Sequence, residues 1–293
     1  GWNIYNSDQA ETYSVATSPS GRIGNAYIGG TGNDGKAFYR YSDDGGLTWS
    51  SPLMIYDPGP GDTIMGTIRG VDLTFAGESP CVVYEVVTQI ISAGSFFPGL
   101  PSKIHFWSPA VNGGNNLVLA DSNNVPYYPY NGINDVQTPV CRPVIGKAQG
   151  LDNVLFVAFD ATTEFYSTSA DTTSFCAGYF MVSQDAGATW TTPEKFTPSG
   201  NPLLDFRFPS IAPVAPVAGN VATVHISMQG DPTPGSQVNG SPAGITAQFF
   251  HFTTDVPLQT VSDIPVTFSV DMGVQAFEGN FPAGANVVVR GSF

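Results

Sequence analysis

The chain contains few charged residues, and basic residues are especially scarce. Only 12% of its 293 residues are charged, and 24 acidic residues against 10 basic ones give a net charge of −14. An acidic surface of this kind repels phosphate backbones and anionic lipid head groups. The composition therefore argues against nucleic acid and anionic membrane surfaces as partners. No apolar run approaches the length of a membrane span.

Cysteine is also scarce, and its count is odd. The three cysteines are Cys81, Cys141 and Cys176. Cys141 and Cys176 fall in one repeat of the pattern described below and could form a disulfide. Buried free thiols are an equally good interpretation, because cysteine packs as a small apolar residue. The sequence leaves both alternatives open.

Amphipathic helical periodicity is missing as well, and this absence favours strands. The chain has 33 glycines and 24 prolines, together with many Thr, Ser, Val, Phe and Tyr residues, which suit strands and turns. The first residues, Gly1-Trp2-Asn3, fit a protein whose signal peptide has been removed. We therefore expect an all-β protein that is extracellular or displayed on a cell surface.

Two segments have nearly the same sequence and match the pattern S-x-D-x-G-x-T-W. In such a segment the carboxylate accepts backbone N–H groups and the glycine supplies a positive φ, which predicts a tight hairpin turn. The pattern residues are Ser42, Asp44, Gly46, Thr48 and Trp49 in the first copy, and Ser183, Asp185, Gly187, Thr189 and Trp190 in the second.

A longer repeat surrounds these two turns. An aromatic strand ending in Ser or Thr precedes each turn and recurs at residues 104–108 and 249–253, followed by degenerate turns at 109–114 and 254–256. Upstream of each aromatic strand lie a short apolar segment and an alternating strand. The pattern predicts four units of four antiparallel strands, at about residues 12–60, 65–122, 136–200 and 205–258.

The two turns resemble the Asp box of sialidase-like β-propellers, and the resemblance covers most of residues 1–258. It implies an all-β propeller with the boxes on the turns between third and fourth strands. Propellers of this family usually have six blades, whereas this chain supplies about four. Either the chain is a fragment, or its ring closes with fewer blades, or another segment or subunit completes it.

Residues 259–293 have a different pattern, with strand-like alternation after a proline-bearing junction. They resemble the opening strands of a starch-binding-like β-sandwich module of bacterial secreted proteins. About thirty residues cannot bury a sandwich core alone. We expect these strands to pack on the propeller, to pair with another chain in self-association, or to be the start of a longer protein.

Three arginines stand where successive repeats begin: Arg69, Arg142 and Arg207. The resemblance to sialidases implies that they face the central channel and bind a substrate carboxylate, since guanidinium groups suit carboxylates. The alternative is that each arginine pairs with a nearby acid such as Asp72 or Asp205. A hydrolase of this type would also need a carboxylate and a tyrosine. Glu85 and Tyr128 are the candidates, with Tyr127 and Tyr130 beside the latter.

Metal and cofactor signals are weak. His105, His225 and His251 are isolated on apolar strands, which is typical of core or rim histidines. Acidic turns such as Asn33-Asp34-Gly35 could attract calcium, but the twelve-residue loop spacing is missing. The sequence predicts no cofactor.

The sequence therefore favours a non-catalytic extracellular module that recognises a glycan or protein partner at the propeller face. Aromatic, Gly- and Pro-rich loops suit either partner. One alternative is a sialidase-like exo-glycoside hydrolase that uses the three arginines. A second alternative is a structural subunit of an extracellular polymer.

Overall fold

The computed structural model describes residues 12–29, 35–92, 95–96, 100–126, 138–167, 172–200, 203–234 and 246–259. These residues belong to one compact unit, Gly1–Gln259. The described part of the chain is built from strands, with one short 3₁₀ turn at Asn112–Gly114. The all-β prediction is confirmed, whereas the segment from 260 onward lies outside the described residues.

The strands form four sheets in chain order. The first contains β1 (Thr12–Thr17), β2 (Ile23–Ile28), β3 (Ala37–Ser42) and β4 (Leu53–Tyr56), paired in that order. The second contains β5 (Thr63–Gly66), β6 (Val71–Ala76), β7 (Ser79–Ile90), β8 (Ser95–Phe96), β9 (Ser102–Trp107) and β10 (Leu117–Ala120). In this sheet β6, β7, β9 and β10 pair antiparallel in that order, as the four strands of the first sheet do. The strands β5 and β8 pair with the C-terminal half of β7.

The third sheet contains β11 (Val140–Ala148), β12 (Leu151–Ser167), β13 (Thr172–Ser183) and β14 (Glu194–Lys195). The fourth contains β15 (Asp205–Ile211), β17 (Val217–Ala218), β18 (Val221–Asp231) and β19 (Gln248–Pro257). Between β15 and β17 in the chain lies β16 (Val214–Ala215), which belongs to the third sheet. The short strand β16 pairs in parallel with β11 at the edge of the third sheet. This pairing ties the fourth sheet to the third through the backbone.

Apolar side chains fill the spaces between successive sheets. One cluster joins the first and second sheets through Tyr39 and Trp107, whose rings are 5.8 Å apart. A second cluster, which includes Phe106 and Leu155, joins the second and third sheets. A third, which includes Phe156 and Met228, joins the third and fourth. Each sheet is therefore buried against its neighbour, as in stacked blades.

Asp72 provides a polar link across three sheets. Its carboxylate accepts hydrogen bonds from Ser14 Oγ of the first sheet at 2.7 Å and from the Ile145 N–H of the third at 2.9 Å. The Leu73 N–H of its own sheet is a third donor at 2.9 Å. Burial raises the pKa of Asp72 above its ordinary value, although these hydrogen bonds oppose the rise.

The two Asp boxes have the same geometry. In the first, Asp44 accepts hydrogen bonds from the Thr48 N–H at 2.8 Å and the Thr48 hydroxyl at 2.6 Å. In the second, Asp185 accepts the same two bonds from Thr189 at the same distances. The serine hydroxyl of each box donates to the aspartate at 2.8 Å and accepts from the glycine N–H at 2.8 Å.

These hydrogen bonds stabilise the ionised aspartates. The bonds from Thr48 and Ser42 lower the pKa of Asp44 to about 2. Burial opposes the same effect at Asp185, but the bonds from Thr189 and Ser183 outweigh it and lower the pKa of that carboxyl. Each tryptophan then folds back to donate its Nε1–H to the carbonyl of the box glycine, Trp49 at 3.2 Å and Trp190 at 3.0 Å.

The predicted degenerate box at the end of the fourth repeat is wrong. Thr254, Asp255 and Val256 continue β19 and pair with β18, so they form no turn. The degenerate box of the second repeat is a turn, with a 3₁₀ segment in place of the aspartate-centred loop. Its Trp107 donates Nε1–H to the Gly114 carbonyl at 3.0 Å, as the box tryptophans do. The aromatic strand thus marks the repeat more reliably than the box.

Candidate functional site

The three arginines lie at one end of the second, third and fourth sheets. Arg69 lies two residues before β6, Arg142 lies near the start of β11, and Arg207 lies near the start of β15. The strands β6, β11 and β15 pair antiparallel with the long strands β7, β12 and β18. The Asp boxes follow the third strands, at the opposite end of the sheets.

Glu85 of β7 lies between the first two arginines. Its side chain is fully buried, and Oε1 is 3.4 Å from Arg69 Nε. The Thr138 hydroxyl donates to the same oxygen at 2.8 Å, and the Arg142 backbone N–H donates to Oε2 at 2.9 Å. Gly70 makes this approach practicable, because a Cβ there would lie 2.9 Å from Glu85 Oε2. Glu85 therefore connects the second and third sheets.

Asp160 of β12 binds the guanidinium of Arg142. Asp160 Oδ2 is 3.3 Å from Arg142 Nη1, and the Asp160 side chain is fully buried. The Cys141 thiol donates to Asp160 Oδ1 at 3.0 Å. Arg142 is thus in contact with two carboxylates, with Glu85 through its backbone and with Asp160 through its side chain.

The fourth sheet carries a further ion pair. Arg207 Nε is 2.6 Å from Asp205 Oδ2, and the Cys176 N–H donates to Asp205 Oδ1 at 2.7 Å. Arg207 is close enough to Arg142 for the two charges to interact. We refer to this set as the arginine–carboxylate cluster; it consists of Arg69, Glu85, Arg142, Asp160, Asp205 and Arg207.

The cluster is electrically balanced, with one carboxylate beside each arginine. Arg69 and Arg142 retain some contact with solvent, with side chains 17% and 14% exposed, whereas Arg207 is 4% exposed. Asp205 is the partner that the sequence suggested for Arg207. Asp72, the other suggested acid, links the sheets instead and contacts Ser14 and Ile145.

The strand register shows that Arg142 and Arg207 do not occupy equivalent positions in their sheets. In β11, Arg142 and Pro143 form a bulge opposite Phe159, because the pairs on either side are Cys141 with Asp160 and Val144 with Ala158. In β15, the equivalent bulge contains Phe208 and Pro209. Phe208 is therefore the counterpart of Arg142, and Arg207 stands one residue earlier.

The tyrosine candidates receive less support. Tyr128 lies outside the described residues, as do Tyr127 and Tyr130. Tyr84, next to Glu85, donates its hydroxyl to Asn116 Oδ1 at 2.5 Å and packs among Tyr56 and His105. Burial raises the pKa of Tyr84 far above its ordinary value. This tyrosine is part of the core.

All three cysteines are free and buried. Burial raises the pKa of Cys81 to about 11 and raises the pKa values of Cys141 and Cys176 well above the ordinary value. We expect a disulfide-reactive dye to titrate none of them in the native protein and three after denaturation. One thiol after denaturation would indicate instead that two of the cysteines form a disulfide.

Within the described ranges, no group of three or more His, Cys, Asp or Glu side chains is arranged to hold a metal ion. The same part of the chain contains no helix long and apolar enough to cross a membrane.

No protein-family model matches the chain, and no curated protein matches it. Among solved structures, the chain is similar to a mutant of the α-L-arabinofuranosidase Arb93A from Fusarium graminearum, in complex with an iminosugar inhibitor. The TM-score is 0.51 at 13% identity, over 86% of this chain and 64% of that one. The chain thus spans less than two thirds of that enzyme's length. The likeness shows a shared fold and supports the propeller prediction; the blade count stays a prediction.

Two further structures overlap with the chain at lower scores. An α-L-arabinanase from Penicillium chrysogenum, complexed with arabinobiose, has a TM-score of 0.49 at 11% identity, over 86% of this chain and 64% of that one. The Hadza microbial sialidase Hz136 has a TM-score of 0.35 at 14% identity, over 75% of this chain and 42% of that one.

Proposed function

We propose that this chain is the glycan-binding propeller of a glycoside hydrolase that acts on an uncharged, arabinose-containing glycan. The observation that carries the proposal is the contact of two carboxylates, Glu85 and Asp160, with one arginine, Arg142. Glycoside hydrolysis uses two carboxyl groups, one to protonate the leaving oxygen and one to act as nucleophile or base. The shared fold with an arabinofuranosidase adds support.

The charge balance of the cluster favours an uncharged substrate. A substrate carboxylate is attracted by arginines whose charge is not already compensated, but each arginine here has a carboxylate at 3.4 Å or less. Bringing another anion to this site would add a like charge beside Glu85, Asp160 and Asp205. A neutral sugar avoids that repulsion, which sets this proposal apart from a sialidase.

A second candidate is a binding module without catalysis. It is favoured by the complete burial of the Glu85 and Asp160 side chains, since a catalytic carboxyl group must reach the glycosidic oxygen or the anomeric carbon. An extracellular location and assembly with other subunits stay predictions under either function.

The test compares an uncharged and an anionic substrate. We expect the purified chain to release reducing sugar from linear arabinan and to leave a fluorogenic sialoside intact. Turnover of the sialoside would contradict the uncharged-substrate proposal. Binding to arabinan in a calorimeter without release of sugar would favour the binding module. Neither binding nor release, with any neutral glycan, would overturn both candidates.

A further inference from the structure

Phe208 is a large apolar side chain held in an unusual position. It lies in the bulge of β15, where Phe208 and Pro209 together face Met228. Its φ is 56°, in the left-handed region that is unfavourable for a non-glycine residue. The residue is nevertheless 44% exposed, so burial of the ring does not offset the full strain.

The ring of Phe208 is supported by the cluster. The Arg142 guanidinium carbon lies 4.4 Å from the ring centroid, within the range of a cation–π contact. Arg142 is itself fixed by its ion pair with Asp160. The guanidinium therefore supports the ring from one side, while much of the ring surface remains open to solvent.

Phe208 and Arg142 share the same backbone strain. Arg142 has a φ of 52° in the corresponding bulge of β11. Two strained non-glycine residues thus touch each other across neighbouring sheets, beside a buried ion-pair cluster. Strain of this kind is retained mainly where it serves a function.

We propose that Phe208 is the platform on which a sugar ring stacks at the mouth of the arginine–carboxylate cluster. The proposal rests on the glycan-binding function proposed above. The C–H faces of sugars are apolar and pack on aromatic rings, while nearby polar groups orient the hydroxyls. A ring that is already positioned by a contact within the protein loses less entropy on binding than a free one.

The variants Phe208→Ala and Phe208→Trp test this role, with Phe249→Ala as the matched control. Phe249 is 85% exposed on β19. It lies two strands from Arg207, because it pairs with Gln229 and Gln229 pairs with Arg207, and it has no contact with the cluster among those described. Affinity electrophoresis through gels containing arabinan, xylan or galactan measures binding. We expect Phe208→Ala to weaken binding by about tenfold, and Phe208→Trp and Phe249→Ala to bind as the unaltered chain does.

The outcomes separate the platform from the function on which it rests. Equal retardation of the unaltered chain and Phe208→Ala would overturn the platform alone. Retardation by xylan or galactan only, lost in Phe208→Ala, would support the platform and overturn the arabinose-containing substrate. If the unaltered chain bound none of the three, both proposals would fail. Thermal unfolding of each variant checks that lost binding does not reflect lost folding.

Discussion

Replacing Gly187 with alanine should lower the free energy of unfolding by about 2–5 kcal/mol, whereas Gly46→Ala should cost only about 1–2 kcal/mol. The two glycines occupy the same place in the two Asp boxes and have nearly the same φ, 93° and 89°. Backbone strain is therefore common to both substitutions. Urea denaturation of the two variants measures the difference directly.

The surroundings of the two glycines explain the expected gap. A Cβ at Gly187 would lie 2.6 Å from Cε1 of Phe106, whereas a Cβ at Gly46 meets no atom within 4 Å. Phe106 is fully buried and packs edge-on against Trp190 at 5.3 Å, so it has little room to move. Overpacking of this kind costs about 1–3 kcal/mol. Similar losses in the two variants would mean that the second box does not pack against the second sheet.

Replacing Glu85 with glutamine should reduce kcat by about 10²–10⁴-fold if Glu85 is one of the two reacting carboxyl groups. The same change removes the charge that faces Arg69 at 3.4 Å in a fully buried position. Breaking such a pair costs about 3–5 kcal/mol of stability. The rate of arabinan hydrolysis is therefore measured well below the melting temperature of the variant, with folding followed by circular dichroism.

Asp72→Asn is the matched control for this experiment. Asp72 is also a carboxylate of the second sheet with three hydrogen-bond donors, but its partners link the sheets and lie outside the cluster. This variant should lose stability and keep its kcat while folded. If kcat fell equally in both variants, the role of Glu85 would be structural. An active Glu85→Gln variant would contradict the catalytic assignment outright.

The fold could be predicted from sequence because each repeat contains local residue patterns that are typical of its turns and strands. A box turn requires aspartate, glycine and threonine at fixed spacing, and the aromatic strand before it fills the space between sheets. Both signals survive at Ser42 and Ser183. The error at Thr254 arose because a Thr-Asp pair also suits a strand, and only the pairing of Asp255 with Thr223 decides between the two.

The site could be predicted only in part. The arginines stand at the strand starts and are visible in the sequence, but their partners come from distant positions on the chain. Asp160 lies within a long alternating strand and gives no local signal. In the sequence, Phe208 resembles a core residue. Its exposure follows from a bulge in β15, and that bulge depends on the register of β15 with β18. A weak signal for it was present, since proline follows both Arg142 and Phe208.

The parallel pairing of β16 with β11 has a consequence for folding during synthesis. The inner edge of the third sheet binds Val214 and Ala215, which leave the ribosome only after the rest of that sheet has been made. Until then the edge at Lys147 and Ala148 offers unpaired backbone groups to any neighbouring strand. The edge of the third sheet is thus covered only when β16 has been made. A nascent chain that stops before residue 214 would be the form most prone to aggregate.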